Sequence, residues 1–180
     1  MSAGRAVGTL LVAAVMVPAC LIPQTDVILE PPLPEKNQPP RILEDKVQPP
    51  GRFVTVKNGS NCPNLAFSAP VADPDVGDTL TYNFYVDADV NPNFVKQGVI
   101  VPDGQVFRSE PATYEVTFAT ANPLQQPGDH VVEVLVADGQ LAGRTPLPRQ
   151  VPLPDGGTVL DPTYAVTYAW TVTVVAGSCP

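Results

Sequence analysis

The stretch Tyr164 to Val174 restricts the fold of this chain more than any other. Tyr164, Val166, Tyr168, Trp170, Val172 and Val174 fall on one side of a two-residue period, and Ala165, Thr167, Ala169, Thr171 and Thr173 on the other. Such an alternation describes a strand with one face in a core; a helix would scatter the same residues around its axis. Leu80, Tyr82, Phe84 and Val86 repeat the pattern, with Thr79, Thr81 and Asn83 opposite, and Tyr114, Val116 and Phe118 form a third case. His130 to Ala137 is apolar on both faces apart from Glu133, which predicts a strand with neighbours on both sides. Shorter candidates are Phe53 to Lys57, Leu65 to Ser68 and Val95 to Val101.

Between these runs lie turn formers: Asp73-Pro74-Asp75, Pro102-Asp103-Gly104, Gln126-Pro127-Gly128-Asp129 and Asp138-Gly139. The 23 prolines of the chain exclude long helices, because each removes a backbone donor and clashes with the preceding turn. Short strands separated by such breaks predict an all-β protein, an antiparallel β-sandwich occupying residues 52–180.

Residues 20–51 have another character. Pro23, Pro31, Pro32, Pro34, Pro39, Pro40, Pro49 and Pro50 fall within thirty residues, with mixed charges between them. Proline density of this kind predicts an extended, PPII-like tether without a core of its own. At about 3.1 Å per residue such a stalk reaches at most roughly 90 Å. A ligand for a proline-recognition domain is the other reading of the tract.

Residues 1–19 read as a secretion signal: Arg5, then an apolar run from Ala6 to Val17 that is too short to span a bilayer. Its end, Val17-Pro18-Ala19-Cys20, resembles the lipobox of bacterial lipoproteins, with Val in place of the usual Leu and Pro in the variable position. The resemblance implies cleavage before Cys20, lipidation of Cys20, and membrane attachment through acyl chains. Leu21 follows where that family's inner-membrane proteins carry Asp, which implies the outer membrane, on its periplasmic face or at the cell surface. An ordinary signal peptide cut near Ala19 is the alternative. If Cys20 is lipidated, Cys62 and Cys179 remain, one at each end of the predicted domain, and a disulfide between them would staple its start to its finish. Two free thiols with a redox or metal task are the other possibility.

The segments VADPDVGDTLTYNFYVD at 71–87 and HVVEVLVADG at 130–139 resemble the Ig-like and cadherin-like domains of bacterial surface proteins. That likeness implies a sandwich; it implies no activity, because such folds host many functions.

The formal charge is −8, and residues 53–180 hold thirteen acidic against five basic residues. A domain of that sign repels phosphate backbones, so nucleic acid is excluded as a partner. Asp73, Asp75 and Asp78 lie in one short loop, DPDVGD, and hard oxygens at that spacing suit Ca²⁺. Asp87, Asp89 and Asp138 are further carboxylates at predicted strand ends. The competing view is that Asp, Pro and Gly make turns and no cofactor is bound. The only histidine, His130, has no local nucleophile motif around it, and a non-enzyme is expected. The long connection Gln140 to Pro162, with Arg144 and Arg149, is the candidate contact for an envelope protein or polysaccharide, or else an excursion that covers the sheet. The expected function is a membrane-anchored, non-catalytic binding or scaffolding module. The alternative is a calcium-dependent adhesion or carbohydrate-binding domain.

Overall fold

The computed structural model describes residues 36–89, 91–153 and 156–180. The signal segment 1–19, Cys20 and the tether up to residue 35 lie outside the described residues. Residues 36–180 form one compact unit, a β-sandwich without an α-helix among the described residues.

The long alternating segment becomes β13 (Ala165–Val175), and its apolar side is the buried one. On one flank β13 pairs antiparallel with β8 (Gly128–Ala137); on the other it pairs in parallel with β2 (Phe53–Lys57). Beyond β8 come β5 (Leu80–Val86) and β6 (Lys96–Ile100), giving a five-stranded sheet in the order β2-β13-β8-β5-β6. The doubly apolar β8 lies at its centre, as its composition predicts. Gly98 on β6 faces Tyr82 on β5, and any side chain there would strike the tyrosine ring.

The second layer is built from small pieces. β3 (Leu65–Ala69) pairs with β7 (Ala112–Val116), and β1 (Arg41–Ile42) pairs with β4 (Val71–Ala72). Between the layers Trp170 is fully buried, edge-on to Phe67 and Tyr168 and stacked with Phe84. Phe67 and Phe84 both also contact Tyr114, so both layers meet in one aromatic cluster. Aromatic pairs of these geometries add to the hydrophobic term about 0.5–1.5 kcal/mol each.

The expected boundary at residue 52 is corrected. Residues 36–51 are a belt packed onto the sandwich. Ile42 and Val47 belong to its core, β1 pairs with β4, and Gln48 bridges to Ser68. The indole N–H of Trp170 donates to Pro49 O at 3.0 Å, and the Tyr168 hydroxyl donates to Gly51 O at 3.2 Å. The belt thus supplies the acceptors that two buried aromatic side chains require. Proline density marks missing donors, and a belt that receives hydrogen bonds tolerates it as well as a solvated stalk does.

Cys62, just after β2, and Cys179, just after β13, form a disulfide across 117 residues of chain. In the chain-entropy view a closure of that length contributes about 4–5 kcal/mol. Gly59 N–H donates to Gly177 O, and Asn61 binds the Cys179 carbonyl, so the segments that follow β2 and β13 are held together beside the bridge.

The belt sets the first prediction. A chain beginning at Lys36 is expected to melt cooperatively, whereas one beginning at Phe53 loses near-ultraviolet dichroism because Trp170 and Tyr168 lose their acceptors. Thermal melts of the two followed by circular dichroism check it; equal melting temperatures would return residues 36–51 to the tether.

Candidate functional site

The polar residues singled out in the sequence gather at the two opposite ends of β5 and β8. At one end the chain enters β5 through the loop Asp73–Asp78; at the other it leaves β5 at Asp87 and enters β8 at His130.

The Asp73–Asp78 loop turns on itself through an Asx hydrogen bond, Asp75 N–H to Asp73 Oδ1, and through Asp78 N–H to Asp75 O. Inside the turn lies the guanidinium of Arg108, fully buried. Its Nη1 donates to Val76 O at 2.9 Å, and its Nη2 lies 3.0 Å from Asp73 Oδ2, 2.9 Å from Asp75 O and 3.1 Å from Asp78 O. Burial holds the Asp73 carboxyl above its ordinary range, against the opposing hydrogen bonds from Asp75 N–H and Arg108. Asp103 shapes the loop that delivers Arg108, accepting from Ser109 N–H and Gln105 N–H. Those bonds, with Ser109 first, hold its carboxyl down to about 2.

The three carboxylates proposed as calcium ligands are therefore shared out among different partners. Asp73 pairs with Arg108, Asp75 Oδ2 accepts from Gln38 N–H, and Asp78 Oδ1 pairs with Arg149. Among the described residues no group of three acidic, histidine or cysteine side chains is placed to hold a metal ion. Nor do Asp87, Asp89 and Asp138 converge. Asp138 ends β8 on the Asp73–Asp78 side, where its Oδ1 accepts from Tyr164 N–H and its Oδ2 from the Asn37 amide of the belt. Burial pushes its carboxyl up to about 6; the nearby Asp73 and Asp78 charges add to the shift, and those two hydrogen bonds oppose it.

At the other end Asp87 adopts a left-handed backbone with φ of 51°. This lets one residue receive Val131 N–H on Oδ1 and His130 Nδ1 on Oδ2, the latter at 2.6 Å. His130 Nε2 meets Gln126 O at 2.9 Å. Both ring nitrogens thus face acceptors, an arrangement that the imidazolium satisfies at both positions. Partial burial pulls its pKa down, but the Asp87 and Gln126 hydrogen bonds and the Asp87 and Asp129 charges outweigh it, and the net shift is upward. Held this way, the ring has no lone pair free to take a proton from a nucleophile. Beside it opens a cleft of about 490 Å³ lined by Asp87, Asp89, Asn91, Asp129 and Glu133 as well as His130.

The long connection after β8 folds back over the sheet. It contains β9 (Leu141–Ala142), β10 (Thr145–Pro146), β11 (Arg149–Pro152) and β12 (Thr158–Asp161), two small hairpins. Asn83 donates to Gly143 O, and Arg144 lies over the Tyr85 ring while pairing with Glu133. Asn83, on the strand face opposite the predicted core, is consequently buried, as is Tyr85 on the same face. Arg149 is forked between Asp78 and Asp161, and these two carboxylates raise its pKa despite partial burial. Neither arginine of the candidate partner loop carries an unneutralised charge. Among the residues the connection exposes are three large apolar ones, Leu147, Val159 and Leu160.

Neither a protein-family model nor a curated protein sequence matches the chain.

Asp138 and His130 set a pH dependence, and the upward shift of Asp73 acts in the same direction as that of Asp138. Asp138 ionises near 6 in the fold against 3.8 outside it, so the fold loses stability as pH rises between those values, by about 3 kcal/mol. His130, shifted upward from 6.5, contributes stability that is complete below that value and is lost as pH climbs through the folded pKa. Both terms favour the acid side. Thermal melts are expected to give a melting temperature higher at about pH 5 than at about pH 8 by several degrees. Asp138→Asn should flatten the segment between 3.8 and about 6, and His130→Gln the segment above 6.5. A profile that rises toward alkaline pH would refute the assignment.

Proposed function

We propose that the chain is a bacterial lipoprotein that carries a non-catalytic binding or scaffolding head on a lipid anchor in the outer membrane. The observation that carries this reading is the fate of the cysteines. The chain has three, and the Cys62–Cys179 disulfide consumes two of them. The remaining one is Cys20, at the end of the lipobox-like segment. A disulfide fits an exported protein, since the reducing cytosol of most organisms disfavours one. An odd cysteine in an exported chain calls for a modification or a partner, and acylation supplies it.

The head is read as Ig-like or cadherin-like, which the parallel pairing of β2 with β13 beside an antiparallel sheet supports. A binding or scaffolding role is supported by the capped imidazole of His130 and by the exposed apolar residues of the β11–β12 hairpin. An envelope protein or polysaccharide is the proposed partner of that hairpin. A calcium-dependent adhesion or carbohydrate-binding domain is the alternative; it requires Asp73, Asp75 and Asp78 to leave the partners they now have.

The test is Cys20→Ser. The parent protein is expected in the membrane fraction, labelled by a palmitate analogue, and the variant unlabelled and released from the outer membrane. Retention of label and location by the variant would remove the lipoprotein reading while leaving the β-sandwich untouched.

A further inference from the structure

The strand β2 ends the five-stranded sheet, and among the described residues no strand lies on its outer edge. Where it pairs with β13, Arg52 O accepts from Thr171 N–H, and Asn58 N–H donates to Val175 O. Alternate residues of a parallel strand serve one neighbour. Val54 and Val56 therefore point their backbone groups at β13, and Phe53, Thr55 and Lys57 point theirs away from the sheet. Neither a proline nor a bulge interrupts β2. An edge of this kind is a template for another strand.

The side chains of β2 suit the same use. Phe53 is 84% exposed, more than any other large apolar residue among the described ones. Val54 and Val56 pack against the core and are only half-buried. Beside them opens a groove of about 230 Å³, lined by Val56, Leu65, Phe118 and the two bridged cysteines, Cys62 and Cys179. The strand is also complementary to itself. Turned antiparallel about Thr55, a second β2 sets Thr55 against Thr55, Val54 against Val56, and Phe53 against Lys57. The outward N–H and C=O groups then meet in reciprocal pairs. The valines fall on the side of the groove, and on the other side each phenyl ring receives a lysine. β2 carries no carboxylate, so the negative charge of the chain does not stand at this edge.

We infer that β2 is the docking edge for a second copy of this chain, which adds its own β2 antiparallel across a two-fold axis at Thr55. The interface is isologous, joins the two five-stranded sheets into one, and covers Phe53 and the groove beside the disulfide. The inference goes beyond the lipid anchor and does not require it.

The experiment uses the full chain, first in its native membranes and then purified in detergent with micelles in excess. Thr55→Cys, Phe53→Cys and the parent are exposed to a mild oxidant. Thr55→Cys is expected to give a covalent homodimer, because directly opposed residues lie roughly 5.5 Å apart between Cα atoms, within disulfide reach. Phe53→Cys is expected to give at least about tenfold less, because in this register its two copies lie roughly 13 Å apart. A third variant, Thr55→Pro, removes an N–H that faces away from β13; it should keep the near-ultraviolet dichroism of Trp170 and sediment as a monomer where the parent sediments as a dimer. Thr55→Cys that stays monomeric under oxidant, or Phe53→Cys that links as readily, would overturn the inference. So would a Thr55→Cys chain that links in membranes to a protein of another mass, which would assign the edge to that protein. None of these results bears on the labelling of Cys20.

Discussion

The sandwich depends on a contact between the two ends of its folded unit. β2 lies near the start and β13 at the finish, and they run in parallel as neighbours. Parallel neighbours cannot be joined by a tight turn, so the whole intervening domain is the connection. The Cys62–Cys179 bond seals that pairing at the strands' ends. Without it β2, which has a neighbour on one side only, would be held by backbone hydrogen bonds to a single strand. Edge strands and chain termini are where fraying begins.

The belt of residues 36–51 extends the same logic. It closes the sandwich over Trp170 and offers carbonyls where two aromatic side chains carry buried polar tips. It also reaches Asp138 through Asn37 and Asp75 through Gln38. The acidic loops before β5 and after β8 are thereby drawn into one network with Arg108 and Arg149. Three of its carboxylates, Asp73, Asp78 and Asp161, meet arginines of the same chain there.

Strand positions were legible because burial on one face leaves a period of two, which β13 and β5 carry over eleven and seven residues, and because β8 is a short run apolar on both faces. The disulfide was legible from three cysteines and their places. The belt was not: the short pair Ile42-Leu43 and the lone Val47 sit among charged residues between prolines, and nothing in their spacing separates a docked belt from a free stalk. The outward face of β5 misled for a related reason. Asn83 is polar, yet it is buried because Gly143, sixty residues later, supplies its acceptor. The carboxylates of DPDVGD were read as a calcium ligand set, and each instead has its own partner; that of Asp73, Arg108, lies some thirty residues away in sequence and belongs to no motif. His130 stood alone in the sequence; its partner Asp87 was visible only as a carboxylate at a strand end, and their pairing depends on register.

The proposed function rests on one assignment of the three cysteine sulfurs: two are joined across the domain, and the third, that of Cys20, is proposed to carry the lipid. Intact-mass spectrometry of protein extracted from native membranes tests that assignment in a single spectrum. The account predicts a chain that starts at Cys20, carries acyl groups there, and resists thiol alkylation at Cys62 and Cys179 until it is reduced. A species that retains residues 1–19, has a free Cys20 thiol, or is alkylated at Cys62 or Cys179 without reduction would contradict it.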